Sequence, residues 1–369
     1  MQVVEVNNRS SENAFIHFPK SLYKNDKEWI APLDKDIESV FNRDKNNYYK
    51  LGDAKRWIIE LNKEVVGRIA AFYKNDGIQI KGGIGFFECI NSQEIADTLF
   101  ETAKVWLQEK GCLAMDGPIN FGEKDKYWGL LVQGFKNPSY QENYNPPYYQ
   151  NLFENFGFKK IFEQTTSEIS STEFKFERFY KLSERVFKNP QYQYAHFNMK
   201  ELPKFANDFI HIYNKAWASR PDFVPITKDK IESTLQSLKP ILIEEAIWFV
   251  YANGEPAGFY VNVLDVNQIF KHLNGKLNWI NKLKFMYYRH FGHINRVRGI
   301  VFGVIPDYQN LGLETGLIIK FYEAMRNSYP QFTQAELSWI GDFNPKMHSL
   351  FGALGAKTTK IHYTYQYSF

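Results

Sequence analysis

Val304-Ile305-Pro306-Asp307-Tyr308-Gln309-Asn310-Leu311-Gly312-Leu313 decides the reading of this 369-residue chain. A β-rich apolar run from Gly299 to Ile305 ends at Pro306, a polar turn follows, and helical spacing of apolar residues runs from Leu311 to Arg326. Proline has no N–H to give, so it leaves one edge of its strand unpaired. The first turn of the next helix offers free N–H groups and the positive end of a dipole, which suits a phosphate or pyrophosphate. Gly312 lets the backbone approach such an anion closely. A plain helix entry would give the same short pattern, so the surrounding elements have to decide.

Working outward, Glu336 to Ile340 reads as a strand, Pro345 to Leu354 as a helix, and Lys360 to Tyr367 as a last alternating strand. Upstream, Ile247–Ala252 and Ala257–Val263 flank Asn253-Gly254 as a hairpin, after a strand at Tyr194–Asn198 and a helix at Leu202–Trp217. The first half runs a similar programme. A hairpin joins Ala54–Leu61 to Val65–Tyr73, Ile84–Ile90 is a third strand, and a helix over Ile95, Leu99, Ala103 and Leu107 closes at Gly111. Leu113 to Asp116 is a short strand broken by Gly117-Pro118. Asn145-Pro146 leads to Leu152-Phe153 and Gly157, as Asn344-Pro345 leads to Leu350-Phe351 and Gly355; the repeat falls at the same place in both programmes.

In that context the chain resembles the GCN5-related N-acetyltransferase superfamily, whose pyrophosphate loop follows a Val-x-Pro strand end and reads Gln/Arg-x-x-Gly-x-Gly/Ala. Val304, Pro306, Gln309 and Gly312 match, and Glu314 stands where Gly or Ala is usual. The resemblance implies an α/β (α+β) fold class with two tandem acyl-CoA N-acyltransferase-like domains, each a mixed, mostly antiparallel sheet flanked by helices. These are a degenerate domain at 1–170, a helical connector at 171–190 and a domain with the acyl-CoA site at 191–369. It implies an acetyl-CoA or longer acyl-CoA co-substrate, with the Val304 N–H on the thioester carbonyl. Gln309, Asn310, Leu311, Gly312, Leu313, Glu314 and Thr315 would lie around the pyrophosphate, and Asn344 would also contact the cofactor. Gln309 and Asn344 also suit a turn residue and a helix cap. The family's general-acid Tyr, seven residues after the Asn, is Phe351 here, which leaves Tyr363 or Tyr365 as substitutes. Glu336 is expected either as the general base or as a structural acceptor paired to an Arg such as Arg298. Gly85-Phe86-Phe87-Glu88-Cys89, Asp116-Gly117-Pro118, Pro147-Tyr148-Tyr149 and Glu336-x-Ser338-Trp339 are similar to the branch that includes bacterial ceramide-synthase-like acyltransferases.

Composition sets the outer limits. Hydrophobic residues are 44 % and charged residues 23 %, an ordinary globular balance. The net charge of +4 argues against a nucleic-acid partner, and hence against tRNA-dependent aminoacyl transfer on a similar scaffold. Only Cys89 and Cys112 occur, which excludes a disulfide framework and a Cys-rich zinc module. His290 and His293 lack a nearby carboxylate or thiol, so no metal is expected. The start of the chain lacks a signal pattern and no apolar run approaches the roughly 18 residues of a span, so a cytoplasmic protein is expected. Aromatic residues reach 17 %, and seven of them (Tyr127, Trp128, Phe135, Tyr140, Tyr144, Tyr148 and Tyr149) fall in one loop-rich stretch. Between Trp279 and Arg298, Ile280, Leu283, Tyr287, Phe291 and Ile294 recur at helical steps, with Lys282, Arg289, His293 and Arg296 opposite. Such a helix lies peripherally on a membrane, covers a lipid slot or packs on its own domain. The expected function is transfer of an acetyl or longer acyl group to a small-molecule or lipid-like amine; a non-catalytic binding protein of the same fold and tRNA-dependent aminoacyl transfer, the latter weakened by the modest charge, are the alternatives.

Overall fold

The computed structural model describes residues 1–218 and 225–369. The first half contains β1 (Gln2–Glu5), α1 (Arg9–Leu22), α2 (Asp34–Val40), β2 (Gly52–Leu61), β3 (Glu64–Asn75), β4 (Ile80–Cys89), α3 (Gln93–Glu109), β5 (Ala114–Gly117), β6 (Leu130–Gln133), α4 (Tyr149–Phe156) and β7 (Lys159–Ser170). After α5 (Phe176–Phe187) come β8 (Tyr192–His196), α6 (Leu202–Trp217), α7 (Lys228–Leu238), β9 (Ile247–Ala252), β10 (Glu255–Leu264), α8 (Asn267–Phe270) and α9 (Trp279–Phe291). The chain ends with β11 (Arg296–Val304), α10 (Leu313–Ser328), β12 (Gln334–Gly341), α11 (Pro345–Leu354) and β13 (Lys357–Ser368).

Local chemistry accounts for the turns. Asn62-Lys63 and Asn253-Gly254 both take positive φ at their two central positions, the twist that suits a tight hairpin. Gly157 (φ +112°) and Gly355 (φ +91°) end α4 and α11 in the left-handed region, where a side chain would be strained. The helix α10 buries Leu313, Leu317, Phe321 and Met325, four positions one turn apart that form its core stripe.

The strands form one sheet in the order β1-β2-β3-β4-β5-β13-β7-β12-β11-β10-β9-β8, with β6 paired to β13. Only β4–β5 and β11–β12 are parallel among these pairs, and each is bridged by a helix, α3 or α10. The two halves exchange their final strands. The first half's β7 pairs with β12, and the last strand, β13, pairs with β5 and β6. Thus the repeated Asn-Pro…Leu-Phe…Gly segments are α4 and α11, each of which launches a crossing strand. A core of Trp57, Leu99, Phe100, Phe153 and Phe158 lies under α3 and α4. Val250, Tyr260, Leu313, Leu317 and Phe321 form the core under α10, with a further core under α6 built on Phe205, Phe249 and Phe259.

One expected element is shorter. The amphipathic helix ends at Phe291, and Arg296 and Arg298 belong to β11, where both side chains are tied into the interior. Gly292 closes the helix with extended backbone, and Ile294 is buried.

Candidate functional site

The Val304 turn is built by its own side chains. Gln309 donates its amide N–H to the Val304 carbonyl at 3.0 Å, folding the turn back onto the strand end. Its backbone N–H is spent on Pro306 O at 3.2 Å. Asn310 (φ +63°) and Gly312 (φ +87°) are both left-handed. The N–H groups of Asn310, Leu311 and Gly312 have no acceptor among the described residues, and those of Leu313 and Glu314 open the first turn of α10. Thr315 closes the turn by donating its hydroxyl to the Gly312 carbonyl at 2.7 Å. The Glu314 side chain lies near Tyr194 of β8, whose phenol is pushed up by burial and then by the Glu314 charge. The arrangement is a concave set of donors at a helix N-terminus, with one carboxylate at its side.

Beside it, β11 and β12 come apart. Their parallel pairing covers only Arg296–Arg298 against Gln334–Glu336. Past that point Ser338 in β12 bonds through its hydroxyl to the Gly299 and Ile300 carbonyls, and the register of β12 on β7 slips between Leu337 and Ile340. On the other edge of β11, Ile305 N–H bonds to Ala257 O at 2.9 Å, so the pair Ala257/Ile305 is hydrogen-bonded. Antiparallel pairs alternate, so the next pair, Gly258/Val304, is not, and the Val304 N–H points away from β10. It faces the space that β12 has left. This follows from Pro306 and from the short β11–β12 pairing together.

Glu336 is the centre of a buried charge cluster. It is 1 % exposed, and its carboxylate meets Lys360 Nζ at 2.8 Å and Arg296 and Arg298 at 3.8 Å each. Ser139 donates a hydroxyl hydrogen bond to it. Burial alone would raise its pKa, but the Lys360, Arg296 and Arg298 charges outweigh burial and hold it at about 2. Of the two expectations for Glu336, this geometry matches the acceptor paired to Arg298, since every partner of the carboxylate is a cation or a hydroxyl donor. Lys360 also pairs with Glu142, and Arg296 with Asp265 at 2.6 Å and Glu168 at 2.8 Å. Ser139, Glu142 and Lys360 carry no local signal of this role, because they come from a loop and a crossing strand.

The two candidate tyrosines lie on the first half's core. Tyr365 is 1 % exposed, packs on Phe153 in the first half's core and donates its hydroxyl to Glu154 at 2.8 Å. Tyr363 lies on the same face of β13, with Lys160 over its ring. The opposite face carries Lys360, His362 and Thr364, all buried. Phe351 packs into the core under α10. Asn344 caps α11 by accepting from Met347 N–H at 3.3 Å, which leaves its amide N–H atoms uncommitted to the cap.

The aromatic loop stands between two voids. One, of about 60 Å³, is lined by Ile30, Arg68, Glu88, Tyr127, Tyr144 and Tyr149. There Glu88 accepts from Tyr23 (2.6 Å) and Tyr149 (2.9 Å), and burial raises its pKa despite Arg68 at 3.4 Å. Arg68 donates to Phe15 O at 2.6 Å, while its Nε has no acceptor among the described residues. The second void, of about 10 Å³, lies between Trp128, Gln164, Arg298, Trp339 and His362, at the splay side of the sheet. His362 Nε2 is 3.0 Å from the Asn143 carbonyl, so that nitrogen carries the hydrogen; burial lowers the imidazole's pKa and keeps it neutral. Tyr140, Tyr144 and Tyr148 spend their hydroxyls on Asp36, Asp26 and Cys89 O. Among the described residues no cluster of three or more His, Cys, Asp or Glu side chains is arranged to hold a metal ion.

The overall fold has solved counterparts. A tandem GNAT protein from the clavulanic acid biosynthesis pathway superposes with a TM-score of 0.59 at 10 % identity, covering 100 % of this chain and 98 % of its own. The chain has the tandem GCN5-related N-acetyltransferase fold. A GCN5-related glucosamine N-acetyltransferase region of a fungal multi-domain β-N-acetylglucosaminidase superposes at TM-score 0.57 and 10 % identity, over 99 % of this chain and 38 % of the other. In sequence, the chain is 24 % identical to protein YghO of Escherichia coli (strain K12), over 97 % of this chain and 93 % of that one. It is 23 % identical to a bacterial ceramide synthase of Caulobacter vibrioides, over 99 % of this chain and 97 % of the relative. No protein-family model matches the chain.

Proposed function

We propose that the protein is an acyl-CoA-dependent N-acyltransferase whose donor site lies in the second half, and that its acceptor is an amine on a lipid-like molecule. The observation that carries this reading is the Val304 N–H, aimed into the gap between β11 and β12 beside an N-terminal turn with unspent N–H groups. Asn310 to Glu314 would hold the pyrophosphate, and the Val304 N–H would stabilise negative charge developing on the thioester carbonyl. The attacking amine has to lose a proton, and Glu336 is too acidic to take it. His362, which lines the void by the splay and holds its hydrogen on Nε2, takes the proton at Nδ1 in this reading. Similarity along nearly the whole chain to a bacterial ceramide synthase supports a lipid-like acceptor and an acyl group longer than acetyl.

Phe351, packed where the resemblance implies an acid Tyr, favours a second reading in which the fold binds its ligand without turnover. Calorimetric titration with coenzyme A and its acetyl, octanoyl and palmitoyl thioesters tests the donor site. Micromolar binding that tightens along the series is expected, since each buried methylene contributes about 0.8 kcal/mol. Undetectable binding at millimolar coenzyme A overturns the donor site. Equal affinity for all three thioesters overturns the long-chain donor, and tight binding with no acyl transfer to any lipid amine selects the second reading.

A further inference from the structure

The helix α9 sits on the protein with the wrong side out. Asn281, Phe285 and Tyr288 face inward: Asn281 donates to the Leu273 and Lys276 carbonyls, Phe285 packs on Phe270, and Tyr288 stacks on His272 at 4.0 Å. None of its 13 residues is buried. The outward face carries Trp279, Ile280, Leu283, Met286, Tyr287 and Phe291, each 46–72 % exposed. At about 100° per residue these six fall within one arc opposite Phe285, with Lys282 and Arg289 along one margin and Lys284 along the other. Single exposed apolar residues are ordinary, but six on one helix face form a patch that calls for a partner.

The charge pattern says which partner. From Val266 to Pro306 the sequence contains no Asp or Glu. Arg296 and Arg298 are consumed by the interior cluster, which leaves Lys271, Lys276, Lys282, Lys284 and Arg289 around the patch with no acidic side chain on the segment. An apolar stripe edged by cations, with a Trp at one end, matches the boundary between anionic headgroups and acyl chains. The amphipathic side chains at the margins can lay their stems on the apolar layer and keep their charges at the headgroups. Among the described residues no helix is long and apolar enough to cross a membrane, so contact would be in the plane of the surface.

We propose that α9 docks the protein onto an anionic lipid bilayer surface. The inward side of the helix sets what this brings near the membrane. Phe285 joins Phe270, Leu273, Ile30 and Leu33 in one apolar cluster, and Ile30 also lines the 60 Å³ void. The inward side of the helix is therefore joined to the void beside Arg68 and Glu88 through this one apolar cluster. Docking stands on the helix alone and holds whatever reaction the second half performs.

The test is co-sedimentation of the full chain with vesicles of phosphatidylcholine alone or with 30 % phosphatidylglycerol. Binding to the anionic vesicles is expected, weaker by at least tenfold on pure phosphatidylcholine and falling as salt rises, because the Debye length shrinks from about 10 Å at 0.1 M to about 3 Å at 1 M. Leu283→Ser/Phe291→Ser should lose at least tenfold in vesicle affinity while its melting temperature stays within a degree or two of the parent, since both positions are exposed. Lys282→Glu/Lys284→Glu should lose the preference for anionic vesicles. No sedimentation of the parent protein with anionic vesicles overturns the proposal. So does equal binding by the Leu283/Phe291 variant, or a self-associated dimer that this variant abolishes without any vesicle binding by the parent.

Discussion

Replacing Glu336 with Gln separates a structural carboxylate from a catalytic one. The side chain keeps its shape and an acceptor for Ser139, but Lys360, Arg296 and Arg298 lose a shared counter-charge in a place 1 % exposed. Breaking a buried pair costs about 3–5 kcal/mol. The lower end applies, because Lys360 keeps Glu142, and Arg296 keeps Asp265 and Glu168. The drop from the ordinary 4.5 to about 2 gives a similar figure, about 3 kcal/mol at about 1.4 kcal/mol per pH unit. Unfolding entropy of about 2.1 cal/mol/K per residue over 369 residues converts this into a fall of about 4 °C in melting temperature near neutral pH. The sign with pH follows from the depressed folded pKa. The stabilisation is complete above the unfolded value near 4.5 and disappears as pH falls towards 2, so the parent and Glu336→Gln should converge in acid. Thermal or urea unfolding of both proteins from pH 3 to pH 8, with turnover measured at pH 7.5, is the assay. A variant that melts with the parent at every pH and has lost turnover would refute the structural assignment and restore the general base.

Three further outcomes follow from the donor turn and β13. Gly312→Val puts a β-branched side chain at φ +87°, where its Cβ meets nothing closer than Val186 at 3.6 Å; the cost is backbone strain of about 1–2 kcal/mol, read by calorimetry as roughly tenfold weaker coenzyme A binding. Glu314→Gln removes a carboxylate from the first turn of α10, so coenzyme A should bind about two- to fivefold tighter at low salt and equally at 1 M salt; no change at low salt would place that carboxylate in solvent. Tyr365→Phe removes the 2.8 Å bond to Glu154 and should lower stability by about 1 kcal/mol in urea unfolding with kcat unchanged; a loss of kcat would return Tyr365 to the chemistry.

The elements that repeat a local rule were readable in advance. Asn253-Gly254 marks a hairpin because its positive φ values follow from residue type, and Leu313 to Met325 marks a helix by its one-turn spacing. Pro306 likewise marks the end of its strand, which stops at Val304 with Pro306 in the turn that follows. What stayed out of reach depends on contacts far apart in the chain. Alternation in β13 shows two faces but not which half of the molecule will pair with it, so Tyr365 read equally well towards either. The seating of helix α9 was out of reach for a related reason. Its apolar stripe is the broader one, yet its docking on α8 is decided by Asn281, Phe285 and Tyr288, and only the outward stripe is strong in the sequence. Glu336 was legible as an anomaly, a carboxylate on an apolar strand, but its partners Lys360 and Ser139 lie 24 and 197 positions away.

These long-range partners also explain where the donor gap begins. The parallel pairing of β11 with β12 stops at Arg298 and Glu336, two members of the charge cluster. Up to that point the strands are held by the cluster, to which β7 contributes Glu168, β13 contributes Lys360, and the first half's loop contributes Ser139 and Glu142. One step further, β12 slips its register on β7, and the Ser338 hydroxyl takes over the Gly299 and Ile300 carbonyls that a paired strand would have met. Among the described residues no strand then pairs with the inner edge of β11 as far as Val304. The gap is thus a consequence of strand exchange: the crossing strands deliver the charges that lock its closed end, and the slip beside them opens the rest. The first half takes part in that lock, because Ser139 and Glu142 reach the cluster from its aromatic loop.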